Sequence, residues 1–235
     1  MVSARQGMSA AMPPPPKPKP VAEPGQLAAL QAALAKLTDG DPATLRFGIA
    51  VSGGPDSTAL LLLMHAIVVG GLEAPTVDHR LRPDAAQEAL GVACLCSELG
   101  IRHDILRPET DISGSIQAEA RAVRYRLLEQ WRTARGLDFV LTAHHADDQA
   151  ETLMMRLNRA SGVAGLSAIR ARNGAILRPL LGWRRDALAA LCQRAGVSLA
   201  DDPSNRDPRF DRARLRQQMA GADWIEPAAL ARSAA

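Results

Sequence analysis

Aromatic residues are scarce in this chain of 235 residues: three Trp, one Tyr and three Phe. Its core must therefore be built from Leu, Ala, Val and Ile, in a sequence whose 47% hydrophobic content is ordinary for a folded globule. Cysteine is scarcer still. Cys94, Cys96 and Cys192 are too few and too oddly spaced for a disulfide framework, and without a CxxC pair they argue against a zinc or iron–sulfur site. No run approaches the roughly 18 apolar residues of a membrane span. The opening MVSARQGMSAAMPPPPKPKP has no apolar stretch of the signal-peptide kind, and one Arg among many prolines makes a poor transit helix. These absences together fit a reducing cytoplasm. Lysine is nearly missing, with three against 25 Arg, so positive charge comes almost entirely as guanidinium.

The net charge is only +3, but it is unevenly spread. From Thr152 onward 14 Arg face 7 acidic residues, so this third carries +7 and the remainder −4. A basic C-terminal third suits a phosphate-bearing partner, although biased Arg usage on solvated helix faces would give the same count.

The length suits one large α/β domain with at most a small appendage. Residues 1–24 hold a proline run and little that can pack, and read as a disordered tail. Leu27, Leu30, Leu34 and Leu37 recur at helical spacing until Gly40 and Pro42. Beyond them, apolar strands over 45–51, 75–78, 101–106, 138–142 and 175–177 alternate with helices over 58–69, 84–99, 115–135, 147–158 and 184–195. Asp84 reads as an N-cap, and Gly100, Gly136 and Gly196 as stops. Repeated βα order predicts a Rossmann-like, mostly parallel sheet with helices on both faces, a single catalytic domain over 25–200. Residues 201–235 read as a basic helical extension rather than a second domain. In such sheets ligands sit at the carboxyl ends of strands, which directs attention to residues 51–57, 78–82 and 142–148.

The first of these exits reads Ser52-Gly53-Gly54-Pro55-Asp56-Ser57 and runs straight into a helix. Two glycines let backbone amides turn toward a ligand, and the helix adds free N–H groups and the positive end of its dipole. Together they make a cradle for pyrophosphate, to which the Ser52 and Ser57 hydroxyls can add donors. Asp56 would repel phosphate unless a cation lay between them, which assigns it to Mg²⁺. A Walker A loop needs Gly-Lys-Ser/Thr, and a dinucleotide fingerprint needs GxGxxG; neither is present. A capped strand-to-helix turn is the plain alternative.

The third exit, His144-His145-Ala146-Asp147-Asp148-Gln149-Ala150-Glu151-Thr152, carries the most chemistry. Asp147 and Glu151, at i and i+4, share one helix face, with Asp148 and Thr152 beside them. Like charges at that spacing cost a few tenths of a kcal/mol unless a cation, metal or ammonium, lies between them. The two histidines can orient phosphate or move a proton. An acidic first turn favoured by the helix dipole is the plain alternative.

The SGGxDS loop resembles that of the ATP pyrophosphatases, the PP-loop enzymes. HHxDDQxET, followed by RxxxGxxGLSAI over 159–169, resembles tRNA(Ile)-lysidine synthetases. Val77-Asp78-His79-Arg80-Leu81-Arg82, Glu119-Ala120-Arg121-Ala122-Val123-Arg124-Tyr125, Arg178-Pro179-Leu180-Leu181 and Asp201-Asp202-Pro203-Ser204-Asn205 resemble further motifs of that family in its order. The likeness runs from about 45 to 216. It departs at Arg212-Ala213, where the family often has Arg-Asn, and in the lack of the C-terminal tRNA-gripping domains many members carry.

The resemblance implies an enzyme that uses ATP and Mg²⁺ to adenylate the wobble cytidine of an isoleucine tRNA with a CAU anticodon and then couples L-lysine to C2. It implies catalytic roles for Asp56, His144, Asp147, Glu151 and Arg121, and nucleotide binding by residues 52–57. It places Asp78, His79, Arg124, Asp148, Asp202 and Asn205 on substrate. Other PP-loop tRNA-modifying enzymes usually bring paired CxxC cysteines. A small-molecule synthetase using glutamine or ammonia needs a glutaminase domain or a cysteine nucleophile. An inactive nucleotide- or RNA-binding module would have no use for Asp56, Asp147 and Glu151.

Overall fold

A computed structural model describes residues 22–68, 70–80, 85–109, 116–162, 169–200 and 211–234. Six strands form one sheet: β1 (Phe47–Ile49), β2 (Leu72–Val77), β3 (Arg102–Leu106), β4 (Phe139–Leu141), β5 (Arg172–Asn173) and β6 (Ile176–Leu177), in the order β3-β2-β1-β4-β6-β5. All neighbours pair in parallel except β5 with β6. Among the described residues eight α-helices accompany them: α1 (Pro24–Leu37), α2 (Pro55–Ile67), α3 (Ala85–Glu98), α4 (Ile116–Arg135), α5 (Ala146–Asn158), α6 (Arg185–Ala195), α7 (Asp211–Ala220) and α8 (Pro227–Ser233). The expected mostly parallel sheet with helices on both faces is what the chain adopts. Among the described residues no helix is long and apolar enough to cross a membrane.

Alternation along β1 sorts the two faces. Phe47, Ile49 and Val51 point into a core shared with Leu30 and Leu34 of α1, residues 59–64 of α2, Val92 and Cys96 of α3, and Leu188, Leu191 and Cys192 of α6. Ala50 points the other way, toward Leu128 and Trp131 of α4, with Leu137, Val140 and Ile176. The aromatic shortage sets a local requirement here. Trp131 lies so close over β1 that a Cβ on Gly48 would come within 2.4 Å of its ring. Its indole N–H is satisfied by Asp104 at 2.8 Å, as a buried indole requires. Helix α2 is apolar nearly all round, and residues 57–64 are all buried between the sheet and α1 and α6, as an enclosed helix must be.

Most elements match the sequence reading within two residues; α2 starts three residues earlier than expected, at Pro55 rather than 58, and β2 and β5 differ as well. β2 starts at Leu72 rather than 75, because Glu73 and Pro75 disguise it. Glu73 is buried yet tolerated, its two oxygens held by Arg46 at 3.0 Å and Arg135 at 2.7 Å. β5 is an extra edge strand turned back by Gly174 at φ +58°; the Asn173-Gly174 pair is a hairpin signal. Near the C-terminus, α7 and α8 fold onto α5, with Leu230 and Ala234 against Leu153. The N-cap expected at Asp84 lies outside the described residues, as do residues 1–21.

The strand order places a switch point between β1 and β4. From β1 the chain moves toward β2 and β3; after β3 it returns to the other side of β1. The loops leaving β1 and β4 thus diverge around one crevice at the carboxyl edge, the position where open α/β sheets bind ligands.

Candidate active site

The β1 exit is a tight loop that holds itself. Ser52 N–H donates to Ser57 Oγ at 3.1 Å, the two hydroxyls lie 3.1 Å apart, and Ser57 Oγ donates to the Gly54 carbonyl at 3.1 Å. Gly53 sits at φ +87°, and a Cβ there would press to 3.1 Å from Ala200; its carbonyl accepts the Ala200 amide at 3.0 Å. Gly54 caps α2 and Pro55 opens it, a pairing suited to a helix start. The N–H groups of Gly53, Gly54, Asp56 and Ser57 thus lie at the dipole's positive end, Pro55 having none.

Across the crevice, His145 caps α5 in a capping box with Asp148, whose Oδ2 accepts the His145 amide at 3.1 Å. The His145 ring is fully buried among three carboxylates: Asp56 at 3.4 Å, Asp148 at 3.5 Å and Asp147 at 3.6 Å. Burial disfavours its charge, but Asp147 and Asp56 outweigh that, and its pKa is raised to about 9. It is an imidazolium at neutral pH. It ties the glycine loop to α5 and neutralises part of an acidic cluster. Sequence reading noticed this histidine but gave it no place of its own; the cap position before Ala146 was the available signal. Asp56 Oδ1 is buried without a hydrogen-bond partner among the described residues. An orphaned carboxylate oxygen beside a phosphate cradle suits a hard divalent cation such as Mg²⁺.

Asp147 and Glu151 do share a face, and the chain supplies cations to it. Asp147 accepts the Arg185 amide at 2.9 Å and pairs with Arg184 at 3.2 Å. Burial alone would raise its pKa, but the adjacent His145 ring and the hydrogen bond from the Arg185 amide hold the carboxyl well below the usual range. Glu151, almost completely buried, meets Arg185 at 3.2 Å, Arg212 at 2.8 Å and Arg216 at 2.7 Å. Burial pushes this carboxyl up, and Arg216, Arg212 and Arg185 together more than reverse it. Asp148 Oδ1 lies 3.5 Å from Arg212. None of these four arginines was singled out from the sequence as a site residue, since a local pattern cannot show which distant side chains fold back onto it.

The β2 exit is organised by Asp78. Its oxygens accept the Arg80 amide at 2.9 Å and the Arg107 guanidinium at 3.1 Å, and Arg80 adopts φ +55°. Burial would raise the Asp78 pKa, but those bonds lower it. Next to it, His79 presents a buried Nδ1 with no partner among the described residues, and its pKa falls through burial and the nearby Arg124. Arg121 stacks on the Tyr125 ring at 5.1 Å. Asp202 and Asn205 lie outside the described residues.

His144, adjacent to His145, titrates in the opposite direction. Its Nδ1 lies 3.0 Å from Thr142 Oγ1, and burial together with Arg178, Arg124, Arg121 and Arg212 pushes its pKa down to about 2. Unfolded histidine takes a proton below about pH 6.5 while folded His144 stays neutral, so each pH unit below 6.5 costs ~1.4 kcal/mol. His144→Asn removes that penalty and the acid-sensitive carboxylates cancel in the comparison. Urea unfolding should show the variant gaining about 2 kcal/mol on the parent between pH 7.5 and pH 5. An equal difference at both pH values would rule out a neutral His144.

The chain is 44% identical over 202 residues to the tRNA(Ile)-lysidine synthase of Zymomonas mobilis subsp. mobilis, covering 82% of this chain and 61% of that protein. It is 46% identical over 196 residues to the same enzyme of Novosphingobium aromaticivorans, covering 80% and 60%. The chain therefore spans about three-fifths of the length of these relatives. Among solved structures, the U34-tRNA thiolase NcsA of Methanococcus maripaludis superposes with a TM-score of 0.69 over 89% of this chain and 78% of that one, at 16% identity, a likeness of fold. The PP-loop domain model matches residues 27–222. That match takes in the whole sheet, the glycine loop and the acidic start of α5, and the chain belongs to the PP-loop family.

Proposed function

We propose that this chain couples L-lysine to C2 of the wobble cytidine of an isoleucine tRNA with a CAU anticodon, using ATP, in the cytoplasm. The observation that carries the reading is the meeting of residues 52–57 with Asp147, Asp148 and Glu151 at one switch point. A phosphate cradle there faces an acidic surface suited to an amine. The loop amides and serine hydroxyls would hold the pyrophosphate part of ATP. Asp56 would hold Mg²⁺, which supplies neutralisation of phosphate charge. The cytidine O2 attacks the α-phosphorus and pyrophosphate leaves. The lysine ε-amine then attacks C2, and AMP departs with the former carbonyl oxygen.

Asp147 and Glu151 would receive lysine's ammonium charge, an incoming ammonium exchanging with a guanidinium now on one of them, and so hold the attacking amine in place. Arg121, Arg124 and the neutral His144 would steady charge on the α-phosphate, while Asp78, His79, Asp148, Asp202 and Asn205 complete the substrate surface. The target base must leave its stack, which an anticodon loop permits. The Arg-rich final third would contact the RNA backbone.

Incubation with labelled lysine, ATP, Mg²⁺ and unmodified tRNA of this anticodon tests the reading. Label in the RNA, with one pyrophosphate released per lysine, is the expected result. Pyrophosphate release with another RNA or a small molecule, and no lysine transfer, would sink it.

A further inference from the structure

Arg178 belongs to none of the roles above, and its surroundings are unusual. It follows β6, is 95% buried, and has no carboxylate partner among the described residues. One terminal nitrogen donates to the Arg170 carbonyl at 2.7 Å and the other to Tyr125 Oη at 3.3 Å. Its Nε is buried and has no hydrogen-bond partner among the described residues. Around it stand Arg121, which also reaches Tyr125 Oη at 3.5 Å, Arg124 and the uncharged His144. His79 adds a second buried nitrogen without a partner. Elsewhere the chain pairs its buried charges: Glu73 has two arginines and Glu151 has three. Here Arg121, Arg124 and Arg178 gather with no salt-bridge partner of their own among the described residues, since Asp78 at the β2 exit is taken by Arg107 and the Arg80 amide; such an arrangement is costly unless an anion completes it.

We propose that Arg178 is a substrate-binding residue whose free Nε and neighbouring cations form a second anion site, taking the oxygens of a phosphoryl group. The site lies at the α4 side of the sheet, where Tyr125 packs against the cluster that holds Ala50, Leu128, Val140 and Ile176. Two sources carry this chemistry: the α-phosphate of the nucleotide or a phosphodiester of the RNA. The inference deepens the proposed function and rests on it only for those two sources.

Equilibrium binding by the full chain tests it, with α,β-methylene-ATP plus Mg²⁺ as one probe and a CAU anticodon stem-loop RNA as the other. Arg178→Met keeps bulk and removes the charge, and affinity for one probe should fall about tenfold or more, the scale of a charge-assisted contact. A loss for the nucleotide assigns the site to ATP, and a loss for the stem-loop assigns it to RNA. Unchanged affinity for both overturns the proposal and leaves Arg178 as a brace between Arg170 and Tyr125. The ligand-free thermal midpoint separates these roles too, because removing an unpaired buried charge should hold or raise it, whereas losing a brace lowers it. If Arg178→Met fails to fold, Arg178→Lys keeps a cation without Nε and should lose affinity for the same probe. Neither measurement involves lysine transfer. Binding that depends on Arg178 in a protein that transfers no lysine would leave this site standing and remove the lysidine reading alone.

Discussion

Asp56→Ala is expected to reduce ATP-dependent pyrophosphate release by at least ~100-fold, the scale seen when one preorganised electrostatic group is removed from a transition state. Three observations converge on this carboxylate. It sits one residue into α2, among the amides that would hold phosphate. Its Oδ1 is buried and has no hydrogen-bond partner among the described residues. Its Oδ2 lies 3.4 Å from the His145 imidazolium, which binds the loop to α5. The fold should survive the substitution, because His145 keeps Asp147 and Asp148 as counter-charges. Asp56→Asn, with the same shape but no charge, should lose activity to a similar extent if the carboxylate serves a divalent cation. Nucleotide affinity measured with and without Mg²⁺ makes the cause visible: the variants should lose the metal-dependent part and keep the rest. Release within about threefold of the parent would remove Asp56 from the chemistry.

The sheet was legible because its signals are local. β1 and β4 are short apolar runs between glycines and caps, and α2 announces its burial by being apolar on every side. The glycine loop and the acidic start of α5 could be read as chemistry for the same reason, since each is a contiguous string. β2 was read short, because Glu73 is a strand residue only by virtue of Arg46 and Arg135, and Arg135 lies 62 positions away. The arginines on Asp147 and Glu151 were hidden in the same way. Arg184 arrives from the turn before α6, Arg185 from the first residue of that helix, and Arg212 and Arg216 from α7. A sequence shows that two carboxylates share a face but not which cation occupies it. The opposite protonation of His144 and His145 was equally out of reach. Adjacent in the chain, one ring faces carboxylates and the other faces guanidinium groups, and only the folded chain separates those surroundings.

Glu151→Gln should be the most destabilising single change in the site, at about 3–5 kcal/mol, the cost of removing one partner from a buried ion pair. The carboxylate joins three elements, taking Arg185 from the start of α6 and Arg212 and Arg216 from α7 while itself sitting on α5. An amide can satisfy the geometry of one guanidinium but neutralises none, so three half-buried cations would be left crowded, with only Arg212 keeping a second carboxylate, Asp148. The loss should be largest at neutral pH. Because the folded carboxyl titrates below its unfolded value, its stabilisation is present above the ordinary carboxylate range and fades as pH falls through it, so parent and variant should converge in acid. A second substitution identifies the cause. Arg216→Met in the Glu151→Gln background should recover part of the stability, because it withdraws a charge that has lost its counter-ion, and a coupling energy of about 0.5–3 kcal/mol is the expected range for residues in contact. Strictly additive losses would mean that the cluster does not act as a unit. The same pair of variants separates docking of α7 from substrate binding. If Glu151 also receives lysine, the double variant, stable again, should still need much more lysine to reach half-maximal rate; if it only anchors α7, restoring stability should restore the lysine dependence as well.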